Sequence, residues 1–148
     1  MTDIEKLRDA ERLIFTKQSS KDLKKAFHLF EELANKNDAF GLYWCGICYL
    51  NGFGTRTSDE ETPEEIKKRE KRGFELLEKS VSQGNSFGKY ELGRCYLNGY
   101  GTEKDEKRGW ELINGKDSGV SFPVTVEMLK QRYELEELGV ENEILPNM

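Results

Sequence analysis

Phe40-Gly-Leu-Tyr-Trp-Cys-Gly-Ile-Cys-Tyr-Leu-Asn-Gly-Phe-Gly-Thr55 returns as Phe87-Gly-Lys-Tyr-Glu-Leu-Gly-Arg-Cys-Tyr-Leu-Asn-Gly-Tyr-Gly-Thr102, an offset of 47 with 11 of 16 positions identical. Internal repetition at this spacing means stacked units of one supersecondary type. A second block recurs around it. Lys24-Lys-Ala-Phe-His-Leu-Phe30 aligns with Lys71-Arg-Gly-Phe-Glu-Leu-Leu77 at the same offset, and then with Lys107-Arg-Gly-Trp-Glu-Leu-Ile113 after only 36 residues. The period is therefore 36, and the middle unit carries an insertion of 11.

Both blocks space their apolar residues as helices do. Tyr43, Gly46, Tyr49 and Leu50 share a side in the first block, and Phe27, Phe30, Leu33 and Ala34 in the second. Between them Asn-Gly-Phe-Gly-Thr and Asn-Gly-Tyr-Gly-Thr supply glycines for positive φ at a helix end, then a threonine, Thr55 or Thr102, expected to cap the next helix. Each unit is a helical hairpin that cannot bury its apolar side alone, so neighbouring units stack around a continuous core. Gly46 and Gly93 fall mid-helix, at about 1 kcal/mol each against alanine, which predicts close approach of a neighbouring helix.

These residues resemble the Sel-one-like repeat (SLR), a 36-residue relative of the tetratricopeptide repeat. Gly84-Asn85-Ser86, Tyr90, Leu92-Gly93, Tyr96, Gly99 and Gly101 follow the family pattern, Lys107 with Gly109 takes its lysine-alanine step, and Lys25-Ala26 keeps that pair itself. The likeness is good over Asp38 to Asn114 and extends back to Lys21. Thr55 and Thr102 replace the family's valine, and Gly41, Gly88, Gly73 and Gly109 its alanine, which is expected to weaken the helices without changing the fold. The resemblance implies an all-α, right-handed α-solenoid of about three repeats. The expected division is a degenerate first repeat at 4–37, a second at 38–85 with the insertion near 56–66, a third at 86–121, a capping helix at 122–138 and a tail at 139–148. It also implies an adaptor or scaffold that binds another protein or peptide, with no catalysis and no cofactor.

One stripe departs from the repeat. Positions that the family fills with polar residues facing the concave groove hold Phe40, Trp44 and Ile47, and in the next unit Phe87, Glu91 and Arg94. These six are the candidate partner-binding residues, an aromatic centre with charges at one side. Two readings stay open: the stripe anchors a partner, or Trp44 and its neighbours pack on the degenerate first helix. A third use of the same stripe is a homo-oligomeric structural protein.

Composition narrows the remaining classes. Net charge is -5 without a basic stripe, which speaks against nucleic acid. The longest apolar run, Gly41 to Leu50, is far short of the roughly 20 residues that span a bilayer, and the acidic start lacks a secretory apolar region, so a cytoplasmic or nuclear site is expected with no membrane insertion. Cys45-Gly-Ile-Cys48 has redox or metal spacing, but Cys45 aligns with Leu92 and Cys48 with Cys95, so all three thiols are read as core residues and no metal is expected. A thiol-dependent enzyme using Cys48 or His28 is the remaining alternative. In the insertion, Thr62, Pro63 and Glu65 form a strong helix start that should lengthen the following helix by about two turns, and Ser58 before Asp59, Glu60 and Glu61 is a candidate phosphorylation site.

Overall fold

The computed structural model describes residues 1–17 and 19–114, and the described chain is helical with no strand. Its elements are α1 (Asp3–Arg12) running into a π turn (Leu13–Lys17), α2 (Ser20–Asn35), α3 (Ala39–Asn51), α4 (Pro63–Ser82), α5 (Ser86–Asn98) and α6 (Glu106–Asn114). Consecutive helices pack in chain order, giving an all-α solenoid of hairpins α1–α2, α3–α4 and α5–α6. The expected capping helix at 122–138 and tail at 139–148 lie outside the described residues.

Local chemistry sets the helix boundaries. Thr2, Ser19, Asp38, Thr62 and Asn85 each accept a hydrogen bond from a first-turn amide, so otherwise orphaned N–H groups are satisfied. Gly52 and Gly99 close α3 and α5 with a left-handed φ of 73°, a conformation in which a side chain would be strained. The threonines after these glycines do not cap the next helix. Thr55 instead donates its hydroxyl to the Cys48 carbonyl at 2.8 Å, tying off α3, while α4 is capped by Thr62 and α6 by Asp105, whose carboxylate accepts from the Arg108 amide at 3.1 Å. Asp105 takes the cap because it stands immediately before α6, whereas Thr102 lies three residues further back. Thr62 and Pro63 open α4 early, making it 20 residues long against 9 described in α6.

The mid-helix glycines are crossing points. A methyl group on Gly46 would stand 3.0 Å from the Gly73 carbonyl oxygen, and one on Gly73 2.8 Å from that of Gly46. Gly93 and Gly109 repeat the arrangement, a methyl group on either standing 2.8 Å from the other's carbonyl oxygen. Gly73 and Gly109 thus let the two helices of a hairpin touch backbone to backbone, which corrects the expectation that they merely weaken their helices. Between hairpins the aromatic residues take over: Phe27 meets Tyr49 edge-on at 5.4 Å, and Phe74 meets Tyr96 edge-on at 5.5 Å. Two buried polar side chains also hold the start of α3, one from its own hairpin and one from the cap of the next. Ser80 donates to the Ala39 carbonyl at 2.7 Å and Asn85 donates to the same oxygen at 3.2 Å. The N-terminus of α3 is thereby fixed on the α4–α5 corner, which positions the side of α3 that carries Phe40.

Candidate functional site

The six candidate residues lie on α3 and α5, the first helices of the second and third hairpins. Phe40 stands 39% exposed at the start of α3, and half-buried Phe87 stands at the start of α5 with the two rings 6.1 Å apart. Tyr43 supports Phe87 from behind at 6.3 Å. Arg94, half exposed, reaches back to Glu91 at 3.2 Å. Phe40 and Phe87 therefore make a small aromatic edge backed by Tyr43, with Arg94 about two turns further along α5.

Trp44 and Ile47 do not join that edge. Each is only 1% exposed. Trp44 stacks on Phe30 of α2 at 5.4 Å and 13°, and takes the edge of Phe15, from the π turn, at 5.5 Å and 73°. Of the two readings left open, Trp44 takes the packed one: the π turn sets Phe15 onto the indole, so the ring lies inside the hairpin stack, and Ile47 is buried with it in the same core. Trp44 consequently has no surface to give to a homo-oligomer. Glu91 is likewise 3% exposed, and burial pushes its carboxyl above the usual range while the Arg94 cation opposes the shift. Burial also pushes the Tyr43 phenol up, reinforced by the carboxylates of Glu91 and Glu11.

The thiols are poor nucleophiles. Cys45, Cys48 and Cys95 are unbridged and buried, and burial pushes Cys45 and Cys95 up to about 12 and Cys48 well above its ordinary value. Protonated at neutral pH, they lack the thiolate that thiol chemistry needs. His28 is exposed on α2, with its Nδ1 3.8 Å from the Glu31 carboxylate. No group of three or more His, Cys, Asp or Glu residues among the described residues is placed to hold a metal ion.

The insertion is more organised than its acidic, polar composition suggested. Glu61 receives Arg69 through both carboxylate oxygens, at 3.0 and 2.9 Å, and Arg69 also donates to the Tyr49 carbonyl at the end of α3. These Arg69 hydrogen bonds hold the Glu61 carboxyl below its usual range. Thr57 donates to Glu65, closing the loop onto α4. Ser58, Asp59 and Glu60 remain exposed beside a cleft of about 620 Å³ between the insertion and the start of α2, so the hydroxyl is accessible while the third acid after it is engaged. Sequence reasoning found the Thr62 cap but not this Arg69 bridge, since nothing in the spacing marks a partner eight residues upstream.

With hairpins, glycine crossings and G-x-G turns in place, comparison with known proteins gives the assignment. The Sel1 repeat pattern matches residues 17–38, 39–62, 65–85 and 86–113, well over half of the chain. The chain belongs to the Sel1 repeat family. The Sel1 match begins at residue 17, between α1 and α2, so the pattern does not cover α1. Among solved structures, the chain is similar to the crystal structure of c5321, a protective antigen present in uropathogenic Escherichia coli strains displaying an SLR fold. That similarity has a TM-score of 0.63 at 18% identity and covers 99% of this chain and 35% of the other, so this Sel1 chain corresponds to about a third of that one and shares its fold. No curated protein matches the sequence. No helix among the described residues is long and apolar enough to cross a membrane. Sel1 repeats are generally protein-interaction modules.

Proposed function

We propose that this chain is a non-catalytic adaptor that binds a partner protein or peptide along its first-helix side. Phe40, Phe87 and Arg94 make the contact, and Trp44, Ile47 and Glu91 hold them in place from within. The observation that carries the reading is the pairing of Phe40 with Phe87: two rings from successive units stand together at the surface, and Phe40 remains 39% exposed although the same helix buries eight consecutive residues. A rigid aromatic edge with an arginine beside it is the composition of binding hot spots. Its mechanism is presentation of a preformed surface, which lowers the ordering cost of association. The net charge of -5 supports a protein rather than a nucleic-acid partner, and the three unbridged thiols support a reducing, cytoplasmic setting.

The test is affinity capture from a native lysate with wild type, Phe40→Ala and Arg94→Glu baits, followed by calorimetry on the recovered partner. A tenfold weaker Kd for either variant, equal to about 1.4 kcal/mol, supports the surface. Equal recovery and equal affinity for all three baits would place the contact elsewhere.

A further inference from the structure

The chain between α3 and α4 holds four hydroxyls, and three of them are already in use. Thr55 donates to the Cys48 carbonyl at 2.8 Å, Thr57 donates to Glu65, and Thr62 accepts the Glu65 amide at 3.2 Å as the cap of α4. Ser58 is exposed, and its hydroxyl makes no hydrogen bond among the described residues. Its neighbours fix its place. Arg56 donates to the Asp59 carbonyl at 2.9 Å, which folds the chain back around Ser58, and Glu61 receives the Thr57 amide at 3.4 Å while holding Arg69 through both oxygens. The acids of the run thereby divide: Glu61 is committed to Arg69, whereas Asp59 and Glu60 stand exposed beside Ser58. A free hydroxyl on an exposed turn, followed by two exposed carboxylates, complements the substrate groove of a kinase that carries cations.

The cleft of about 620 Å³ gives a phosphate somewhere to go. Ser58 and Asp59 line it from the insertion, and Ser20, Leu23 and Lys24 line it from α2. The two walls already touch. A methyl group on Gly54 would stand 2.6 Å from the Leu23 carbonyl oxygen and 2.9 Å from the Lys24 Cα, so the turn after α3 rests on α2. Ser58 follows four residues later, at most about 14 Å of extended chain, and the fold-back at Arg56 shortens that span. Lys24 is exposed and forms no ion pair among the described residues. Ser20 opens α2, where first-turn amides lack intrahelical acceptors and the helix end favours an anion. Asp22, the acid of that turn, is occupied by the Ser19 hydroxyl at 2.6 Å.

We propose that Ser58 is a phosphorylation site whose phosphate closes this cleft, bridging the insertion to Lys24 and the first turn of α2. In the transfer, a bond forms between Ser58 Oγ and the γ-phosphorus of a nucleoside triphosphate. The bond from that phosphorus to the β–γ bridging oxygen breaks, the nucleoside diphosphate leaves, and the hydroxyl proton passes to the kinase's base. The dianion then pairs with Lys24 and accepts from the open amides, charge-assisted contacts that order the insertion against the first hairpin. The site lies at the other end of α3 from Phe40, so it stands or falls independently of the partner edge.

The test has two arms on the full chain. Wild type and Ser58→Ala are incubated with a nucleoside triphosphate and a serine kinase that prefers acidic residues after its acceptor, and phosphate is located by fragment mass spectrometry. The expected result is phosphate on Ser58 of the wild type; its absence from that residue would overturn the proposal, and Ser58→Ala controls for uptake at Thr57 or Thr62. The second arm follows the phosphorylated chain by phosphorus NMR across pH. The second ionisation of phosphoserine lies at about 6, and a facing lysine lowers it. Lys24→Ala, a substitution at an exposed position of α2, should therefore raise the phosphate's titration midpoint, and phosphorylation should slow amide exchange over residues 20–24 and 52–60 in the wild type only. A phosphate that titrates alike with and without Lys24 would overturn the closure.

Discussion

Replacing Trp44 by alanine separates a core residue from a surface anchor by magnitude alone. The indole is 1% exposed, stacked on Phe30 and edge-on to Phe15, with Tyr43 at 5.2 Å. Removing a buried aromatic side chain costs about 3–5 kcal/mol, and the spread depends on how far the site collapses. Collapse is restricted here because Phe30, behind the ring, is itself fully buried. The lost ring pairs add to the cost at about 0.5–1.5 kcal/mol each, so the upper half of the range is expected. In urea, with a slope of about 2 kcal/mol/M for a chain of this size, the midpoint should fall by about 2 M at unchanged slope. Phe40→Ala is the control, and a partly exposed ring should cost about 1 kcal/mol or less. The measurement is equilibrium urea unfolding of both variants followed by far-UV circular dichroism. A Trp44→Ala midpoint as close to wild type as that of Phe40→Ala would refute the placement of Trp44 in the core.

Other outcomes follow from the same geometry. Gly93→Ala should destabilise by about 1–3 kcal/mol even though alanine favours helix, because the new methyl meets Ile113 at 2.6 Å and the Gly109 carbonyl at 2.8 Å; a thermal melt at or above wild type would contradict it. All three thiols should react with an aromatic disulfide reagent at pH 8 far more slowly in the native protein than in urea, since burial pushes Cys45 and Cys95 up to about 12. Because the native carboxyl of Glu91 titrates above 4.5, its ionisation opposes folding above that raised value, and the penalty is relieved as pH falls toward 4.5. Glu91→Gln should therefore be at least as stable as wild type at pH 7, with its advantage shrinking on acidification, as read from urea midpoints across pH 4–7. Glu61 has the opposite sign: its lowered pKa gives stability that is present above 4.5 and lost as pH falls through the native value. Arg69→Ala should remove that contribution and speed amide exchange at the end of α3, where Arg69 holds the Tyr49 carbonyl.

Most of the architecture was legible in the chain because its signals are local and repeated. The 11 identities between Phe40–Thr55 and Phe87–Thr102 placed both hairpin turns, and Thr62-Pro63 placed the start of α4. Gly46 and Gly93 were readable as close approaches, whereas Gly73 and Gly109 were not, since a glycine's partner is set by a second helix that periodicity cannot see. The threonine caps failed for a similar reason: a hydroxyl one residue past a left-handed glycine is equally able to bond backward, and Thr55 does. The stripe shows the limit most clearly. Phe40, Trp44 and Ile47 share one spacing, yet the first is at the surface and the other two are not, because Phe15 and Phe30 arrive from elements whose approach no spacing on α3 encodes. The Glu61–Arg69 bridge is longer in range than a helical turn and left no pattern to find.

Fluorescence quenching addresses the central arrangement most directly, since the chain has two tryptophans and the structure gives them opposite surroundings. In a Trp110→Phe chain Trp44 should emit at short wavelength and resist acrylamide, and in a Trp44→Phe chain Trp110 should emit at longer wavelength and be quenched readily, as 1% and 53% exposure require. Equal quenching of the two would contradict a stack that holds Trp44 of α3 inside and Trp110 of α6 at the surface.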